Sequence, residues 1–342
     1  LSALAMALPL PLLPLALHPK RQSAVWAVGR FLFAYDLARG VWEQRRKPLH
    51  AEAVRALDAC RGGSSTTTTW VSAGDDKIVM TWTEENGEWE PQHSFSNQKK
   101  ITAAIFDEDG RVVFGDRFGD VFRWVPGEGD TQLLSSHFAI VTTLAFTPSG
   151  QYLVVGDNHE KVRISRYPEA AEIRSFCFGH SMQITAVVGV PVGETEHILS
   201  ASADATLRLW TLDGEQRRCW SLPAPISSLS AAGDAVVVGV EAPRSSLTRV
   251  PLDGEAATLL SEAPQAVRVR ESDGAVIWID RRGHLRFRSP GGAWEDVFDG
   301  DDLPPNLVIL SQNAGDGEVE NEDAKEEDAE VPAKASKKKR RE

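Results

Sequence analysis

Short runs of alternating hydrophobic and polar residues, separated by turn signals, follow one another along most of the chain. The clearest pair lies at residues 200–210, where a polar turn joins two apolar runs and the second run ends at Trp210. Such runs predict strands joined by tight hairpins. Asp-Gly or Ser-Gly pairs, which are typical of hairpin turns, recur along the chain and begin at Asp109, Ser149, Asp213, Asp253 and Asp273. No amphipathic helix pattern interrupts residues 26–297, so the pattern predicts an all-β domain.

The hairpin at 200–210 has weaker copies along the chain. Those at 72–82 and 115–124 end in Trp82 and Trp124, and a third at 156–165 ends in Ser165 where Trp would stand. Their spacing of roughly 40 residues is the period of WD repeats, each of which forms one four-stranded blade. Further strands are predicted at 30–36, 235–239, 247–250, 275–279 and 284–288. Counting these copies predicts a seven-bladed WD40 β-propeller, with six blades as the alternative.

The residue types of the clearest repeat predict a buried polar network. Gly179-His180 precedes its first apolar run. We expect Asp204 to accept a hydrogen bond from His180, His180 to bond Ser200 or Ser202, and that serine to bond the Trp210 indole, because buried polar groups need partners. These residues are therefore interpreted as structural.

Composition divides the chain into three predicted parts: an irregular apolar lead-in at 1–19, the propeller at 20–310, and a disordered tail at 311–342. The lead-in contains three prolines, and it could instead be an outer strand of the sheet or a signal peptide. The acidic start of the tail cannot bury a core. The tail ends in Lys337, Lys338, Lys339, Arg340 and Arg341. This cluster predicts a nuclear localisation signal, the alternatives being a phosphate-contacting or merely solubilising tail.

Charge and motifs argue for a binding module. The net charge is -12, so the chain as a whole lacks the basic footprint of a free-standing nucleic-acid binder. Cys60, Cys177 and Cys219 are widely spaced, without a CxxC pair. This predicts a reducing compartment, no disulfide framework and no metal site. The chain has no P-loop, GxGxxG, GxSxG or HExxH motif, so we expect no enzymatic activity of this chain alone.

Four segments of the sequence indicate a particular family of WD-repeat proteins. They lie at 113–122, 145–154, 157–165 and 173–180, and the last reads Ile-Arg-Ser-Phe-Cys-Phe-Gly-His. Together they resemble the WD-repeat subunit of the eukaryotic tRNA (guanine-N7)-methyltransferase. The resemblance implies a non-catalytic subunit of a heterodimer, with no cofactor on this chain. Its catalytic partner would bind S-adenosylmethionine and form m7G in the tRNA variable loop, while the propeller stabilises that partner and helps position tRNA.

The same resemblance assigns roles to individual residues. Glu160 and Arg163 would face the catalytic subunit, with Lys161 as a neighbour, since opposite charges across an interface fix its register. Arg117 matches a basic turn position that approaches tRNA. Arg163 has a structural alternative, because Arg208 is its equivalent in the next blade, and Arg117 could be an ordinary exposed turn residue. If the interface interpretation holds, reversing the charge at Arg163 should weaken partner binding and leave the propeller folded.

Two other classes remain open at this point. One is a nuclear scaffold such as a ubiquitin-ligase substrate receptor. Receptors of one large group carry Trp-Asp-x-Arg at blade ends, whereas this chain has Thr-Leu-Asp after Trp210. The other is a secreted propeller, which would need a cleaved N-terminus.

Overall fold

The computed structural model contains only β-strands and their connections in the part of the chain that it describes. The described residues are 14–18, 23–36, 41–44, 49–60, 68–85, 88–232, 235–240, 246–253, 257–260, 264–269, 276–280, 285–288 and 294–298. They hold no helix long and apolar enough to cross a membrane. The prediction of an all-β propeller is confirmed.

The strands form seven antiparallel sheets of four strands each, which we number as blades 1 to 7 in chain order. Every blade is a simple meander of consecutive strands. Blade 1 consists of β1 Leu15–Leu17, β2 Ser23–Val28, β3 Phe31–Asp36 and β4 Val41–Gln44, and blade 2 of β5 Val54–Ala59, β6 Thr68–Gly74, β7 Ile78–Glu85 and β8 Glu88–Ser96. Blade 3 consists of β9 Ile101–Phe106, β10 Val112–Asp116, β11 Asp120–Trp124 and β12 Thr131–Ser136, and blade 4 of β13 Val141–Phe146, β14 Tyr152–Asp157, β15 Val162–Arg166 and β16 Ile173–Cys177. Blade 5 consists of β17 Ile184–Val192, β18 Thr195–Ser202, β19 Thr206–Thr211 and β20 Gln216–Ser221, and blade 6 of β21 Ile226–Ala232, β22 Ala235–Val240, β23 Ser246–Pro251 and β24 Ala257–Leu260. Blade 7 consists of β25 Pro264–Val269, β26 Val276–Asp280, β27 Leu285–Arg288 and β28 Trp294–Phe298.

The first strand of each blade lies innermost. Each contacts the first strand of the next blade, and β25 contacts β1, so these strands run round in a closed cycle. They surround a central cavity of about 180 Å³. Three of the hydroxyl side chains that line the cavity donate to backbone carbonyls: Thr102 to Gly115, Thr142 to Gly156 and Ser227 to Gly239. These hydroxyl groups therefore stabilise the sheets that carry them.

Hydrophobic residues pack between blades, and this packing explains the strand pattern. Between blades 4 and 5, Val162 and Ile164 form one buried cluster with Ile184, Ile198 and Trp210. Second strands that end in Gly-Asp leave room for the next blade. A Cβ added at Gly115 would run into Val141 at 2.5 Å, and one at Gly156 would meet Ile184 at 2.7 Å.

The predicted start of the propeller at residue 20 is wrong. The segment Leu15–Leu17 forms β1 and pairs with β2, with Leu15 opposite Trp26. Both residues are buried. Because Leu15–Leu17 is an innermost strand, this part of the lead-in is neither irregular nor an outer strand. The predicted disordered tail and its basic cluster, residues 311–342, lie outside the described residues.

Candidate partner interface on the loop face

Blade 5 contains a complete buried network. His180 Nδ1 lies 2.9 Å from Asp204 Oδ2, its Nε2 lies 2.7 Å from Ser200 Oγ, and the Trp210 indole N–H donates to the same oxygen at 2.8 Å. Burial lowers the pKa of His180, and the Asp204 carboxylate only partly opposes this shift. These four residues hold the loop before the blade against its central hairpin. Ser202 instead donates to the backbone carbonyls of Met182 and Gln183.

Blade 2 contains a second network that the sequence analysis missed. His50 Nδ1 lies 2.9 Å from Asp76 Oδ2, and its Nε2 lies 2.7 Å from Ser72 Oγ. His50 stands four residues before β5, as His180 does before β17, but Leu49 replaces the glycine that marks this motif. The spacing alone could have identified it. Trp82 occupies the tryptophan position and stacks on Trp70 with ring centroids 5.7 Å apart.

Blade 4 has the same backbone with different chemistry. By strand register, Val155 replaces the serine and Ser165 replaces the tryptophan of blade 5. Arg163 fills the gap: its Nε–H donates to Ser165 Oγ at 2.9 Å and its Nη2 donates to the carbonyl of Ala170 at 2.8 Å. Only 8% of Arg163 is exposed.

The burial of Arg163 bears on its predicted role. A guanidinium whose donors point at the blade's own oxygens holds that blade together, so this position favours the structural interpretation. His137, at the position of His180, lies beside it. Burial and the nearby charge of Arg163 lower the pKa of His137 to about 4. The imidazole is therefore neutral at physiological pH.

Glu160 and Lys161 lie at the exposed tip of the turn between β14 and β15. Asp157 Oδ1 accepts the backbone N–H groups of His159 at 2.8 Å and Lys161 at 3.0 Å, which fixes the turn. Glu160 has a φ of +68°, a region that favours glycine. Gly119 fills the corresponding position of blade 3. Lys77 of blade 2 and Ala205 of blade 5 have the same conformation at the equivalent position, with φ of +68° and +63°, so the conformation belongs to this type of turn.

The turns between second and third strands point the same way as the loops between blades, because both lie at the end where first strands begin. We call this end of blades 3 to 5 the loop face. It comprises the loop 97–100, the turn 116–119, the loop 137–140, the turn 158–161 and the loop 178–183. Backbone hydrogen bonds join these segments: His137 N donates to Gly119 O at 2.8 Å, and Asn158 N donates to Ile140 O at 3.0 Å.

The loop face exposes large apolar side chains. Phe138 is fully exposed, and Phe118, Phe178 and Met182 are exposed to 64%, 66% and 44%. Phe178 stacks on the partly exposed Phe176 with centroids 5.6 Å apart. Clustered apolar side chains on a surface mark sites of protein interaction more often than single ones do.

The structure brings most of the predicted residues together. The loop with Phe138 lies between the turn of Arg117 and the turn of Glu160 and Lys161. Phe178 directly follows Cys177, which pairs with Val162 next to Lys161. Sequence analysis found the charged residues but missed the phenylalanines, because an apolar residue in a loop has no motif. Among the described residues, no group of His, Cys, Asp or Glu could hold a metal ion.

Comparison with known proteins agrees with the resemblance seen in the sequence. Residues 127–239 match the family model described as the tRNA methyltransferase TRM82 WD40 domain. Several curated relatives are named non-catalytic subunits of tRNA (guanine-N(7)-)-methyltransferase. One from Dictyostelium discoideum is 28% identical over 191 residues, which is 50% of this chain and 39% of the relative.

Two animal relatives with the same name show higher identity over shorter regions. The mouse protein is 33% identical over 128 residues, covering 36% of this chain and 31% of the relative. The Caenorhabditis elegans protein is 35% identical over 115 residues, covering 33% of this chain and 29% of the relative. The matches thus span less than half the length of each of these relatives. The predicted resemblance is confirmed, and the matched segment 127–239 includes Phe138, the turn of Glu160 and Phe178.

Proposed function

We propose that this chain, whose middle third matches the WD40 domain of that family, is the non-catalytic subunit of a tRNA (guanine-N7)-methyltransferase. In this proposal it pairs with a catalytic subunit that binds S-adenosylmethionine and methylates N7 of a guanine in the tRNA variable loop. The seven sheets form one seven-bladed ring. No cofactor is assigned to this chain. The names of the relatives support the assignment.

One observation carries the proposal furthest: a fully exposed phenylalanine stands beside a charged turn on the matched blades. Phe138 supplies apolar area, and Glu160 and Lys161 supply charges of opposite sign within the same surface. Interfaces combine an apolar centre with charged groups that set orientation. The part of the loop face formed by the loop 137–140, the turn 158–161 and the loop 178–183 is therefore the proposed docking surface for the catalytic subunit.

The position of Arg163 fits this proposal in an indirect way. Its guanidinium bonds hold β15 to the loop that follows it, and β15 begins directly after the turn that carries Glu160 and Lys161. Arg163 then acts on the interface as a positioning residue. A direct ionic contact between Arg163 and the partner would require the guanidinium to break both of these hydrogen bonds.

Charge supports a division of labour between the subunits. This chain has a net charge of -12, and phosphate contacts supply most of the affinity of proteins for nucleic acids. The catalytic subunit therefore supplies much of the basic surface for tRNA, with Arg117 as a contribution from this chain. The terminal cluster 337–341 is proposed to direct the complex to the nucleus.

Reconstitution tests the proposal. The chain is co-expressed with the tRNA guanine-N7 methyltransferase catalytic subunit of the same organism, and the co-purified material is assayed for methyl transfer to tRNA. We expect a one-to-one complex and higher activity than with the catalytic subunit alone. No complex and no effect on activity would contradict the proposal.

A double variant and a matched control test where the interface lies. Phe138→Ser combined with Phe178→Ser should reduce co-purification while the isolated chain stays folded. Leu133→Ser is the matched control, since Leu133 is 53% exposed on the outer strand of blade 3, away from the loop face. Equal loss of complex in the control and the double variant would move the interface off the loop face.

A further inference from the structure

An exposed phenylalanine stands among cations at the border of blades 2 and 3. Phe118 lies at the tip of the turn between β10 and β11 and is 64% exposed. The ammonium group of Lys99 lies over its ring, 4.0 Å from the centroid. The ring is thus presented to solvent and held from one side by a cation, an arrangement that cation–π attraction stabilises.

The turn that carries Phe118 is rigid. The buried carboxylate of Asp116 accepts the backbone N–H groups of Phe118 at 2.8 Å and of Asp120 at 3.2 Å. Gly119 follows with a φ of +93°, and any side chain there would collide with the carbonyl oxygens of His137 and Ala139. Because the backbone is already fixed, a ligand that binds the ring orders little of the protein, which lowers the cost of binding.

Four cations surround this turn, and we call them the cationic patch: Lys77, Lys99, Lys100 and Arg117. Their backbones are joined, since Asn97 N donates to Lys77 O at 2.8 Å and Arg117 N donates to Lys100 O at 3.0 Å. Arg117 is exposed, and Lys99 and Lys100 are half-buried.

Of these four cations, Lys100 is the one that forms an ion pair within the part of the chain that the structure describes. The nearby carboxylates bond other groups: Asp76 bonds His50, Asp75 bonds Arg55, Asp116 accepts backbone N–H groups of the turn, and Asp120 accepts from Ser136. Glu52 forms an exposed ion pair with Lys100 at 3.0 Å, which solvent weakens. Cations without an ion pair beside an exposed ring favour an anionic ligand with an aromatic part.

We propose that Phe118 stacks on an unpaired base of RNA while the cationic patch contacts the adjacent phosphates. A nucleotide combines a flat aromatic base with a neighbouring negative charge, and single-stranded nucleic acids are bound by such pairings of aromatic side chains and cations. Bases within a duplex hide their faces in the stack, so the ligand is a looped-out or single-stranded nucleotide. The inference deepens the proposed function in one respect: the RNA it names is the tRNA handled by the complex.

The test measures binding of an unmodified tRNA transcript to the complex of this chain with the catalytic subunit, by fluorescence anisotropy. Three variants separate ring stacking from apolar contact: Phe118→Ala, Phe118→Leu and Phe118→Trp. We expect the Ala and Leu variants to raise the Kd about five- to a hundredfold and the Trp variant to stay within about threefold of the parent. Leu keeps the apolar character of the side chain but has no ring to stack.

The salt dependence of the Kd tests the phosphate contacts. Arg117→Gln should reduce the slope of log Kd against log salt by about 0.7, because one fewer counterion is released on binding. Arg217→Gln is the matched control, since Arg217 is exposed on β20, the outer strand of blade 5. An equal change of slope in both variants would contradict a localised patch.

Three outcomes would overturn the inference. Unchanged affinity in Phe118→Ala removes any role for the ring. Full affinity in Phe118→Leu replaces stacking with apolar contact, and loss of co-purification in Phe118→Ala assigns the residue to the interface with the catalytic subunit.

A failure of the proposed function can be told apart from a failure of this inference. If the parent chain forms no complex, the same Phe118 variants are titrated on the isolated chain with a labelled single-stranded oligoadenylate. Weaker binding by the Ala and Leu variants would still support base stacking. Equal binding by all variants would overturn it.

Discussion

Blades 5 and 4 share a backbone plan and differ in what fills it. Blade 5 joins its entry loop, its turn and its third strand through His180, Asp204, Ser200 and Trp210. Blade 4 has Ser165 at the tryptophan position, and an arginine turned inward replaces the indole. Because the turn of blade 4 does not carry the network aspartate, its tip residues are free to face solvent. One blade uses its turn for stability, and its neighbour leaves its turn exposed at the proposed docking surface.

The largest effect is expected when the residue of blade 4 is placed in blade 5. Trp210→Ser should lower the free energy of unfolding by about 3–5 kcal/mol, because it leaves a cavity beside Ser200 and removes the indole N–H donor. Urea unfolding measures the change. Leu133→Ser serves as the control and should change stability by less than about 0.5 kcal/mol. A small effect at Trp210 would show that blade 5 does not depend on its network.

Arg163 and Arg208 are equivalent by register but differ in their surroundings. Arg163→Met should cost about 1–3 kcal/mol, since Ser165 and the Ala170 carbonyl lose their hydrogen-bond donor inside the blade. Arg208 instead donates to Thr206 and Gln216 at the surface, so Arg208→Met should be nearly neutral. Thermal unfolding of the two variants compares them directly. Equal losses would mean that the burial of Arg163 has no energetic consequence.

The pH dependence of stability further distinguishes blade 4, whose entry loop carries His137, from blade 5. The pKa of His137 is about 4 in the folded chain and near 6.5 when unfolded, so the unfolded chain binds the extra proton first. Stability should therefore fall as the pH drops from about 6.5 to about 4. His137→Asn should flatten this part of the curve. His137 loses its effect above pH 7, where both states are neutral, and a parallel loss in parent and variant would contradict the assignment.

The smallest effect concerns the turn tip of blade 4. Glu160→Gly relieves a left-handed conformation and should leave stability unchanged or raise it by up to about 1 kcal/mol. Glu160→Gln keeps the backbone cost and removes only the charge. We expect both variants to bind the catalytic subunit less tightly than the parent, as measured by calorimetry. Undiminished binding by both would exclude Glu160 from the interface.

The sequence predicted those features that follow from local pattern. Period-two alternation and Asp-Gly turns predicted the strands, and the residues around Trp210 identified the network of blade 5. The start of the propeller was misplaced, because prolines in the lead-in obscured the short strand Leu15–Leu17. The inward turn of Arg163 could not be predicted, since it depends on the carbonyl of Ala170 in a loop. The exposed Phe118, Phe138 and Phe178 had no pattern to distinguish them from core residues.

Amide hydrogen exchange of this chain, alone and with the catalytic subunit, tests the central claim most directly. The catalytic subunit is proposed to dock on the loop 137–140, the turn 158–161 and the loop 178–183 of the loop face. The account predicts slower exchange on binding in the loop 137–140, the turn 158–161 and the loop 178–183, with no change in β20. Protection confined to β20 or other outer strands, with the loop face unchanged, would contradict it.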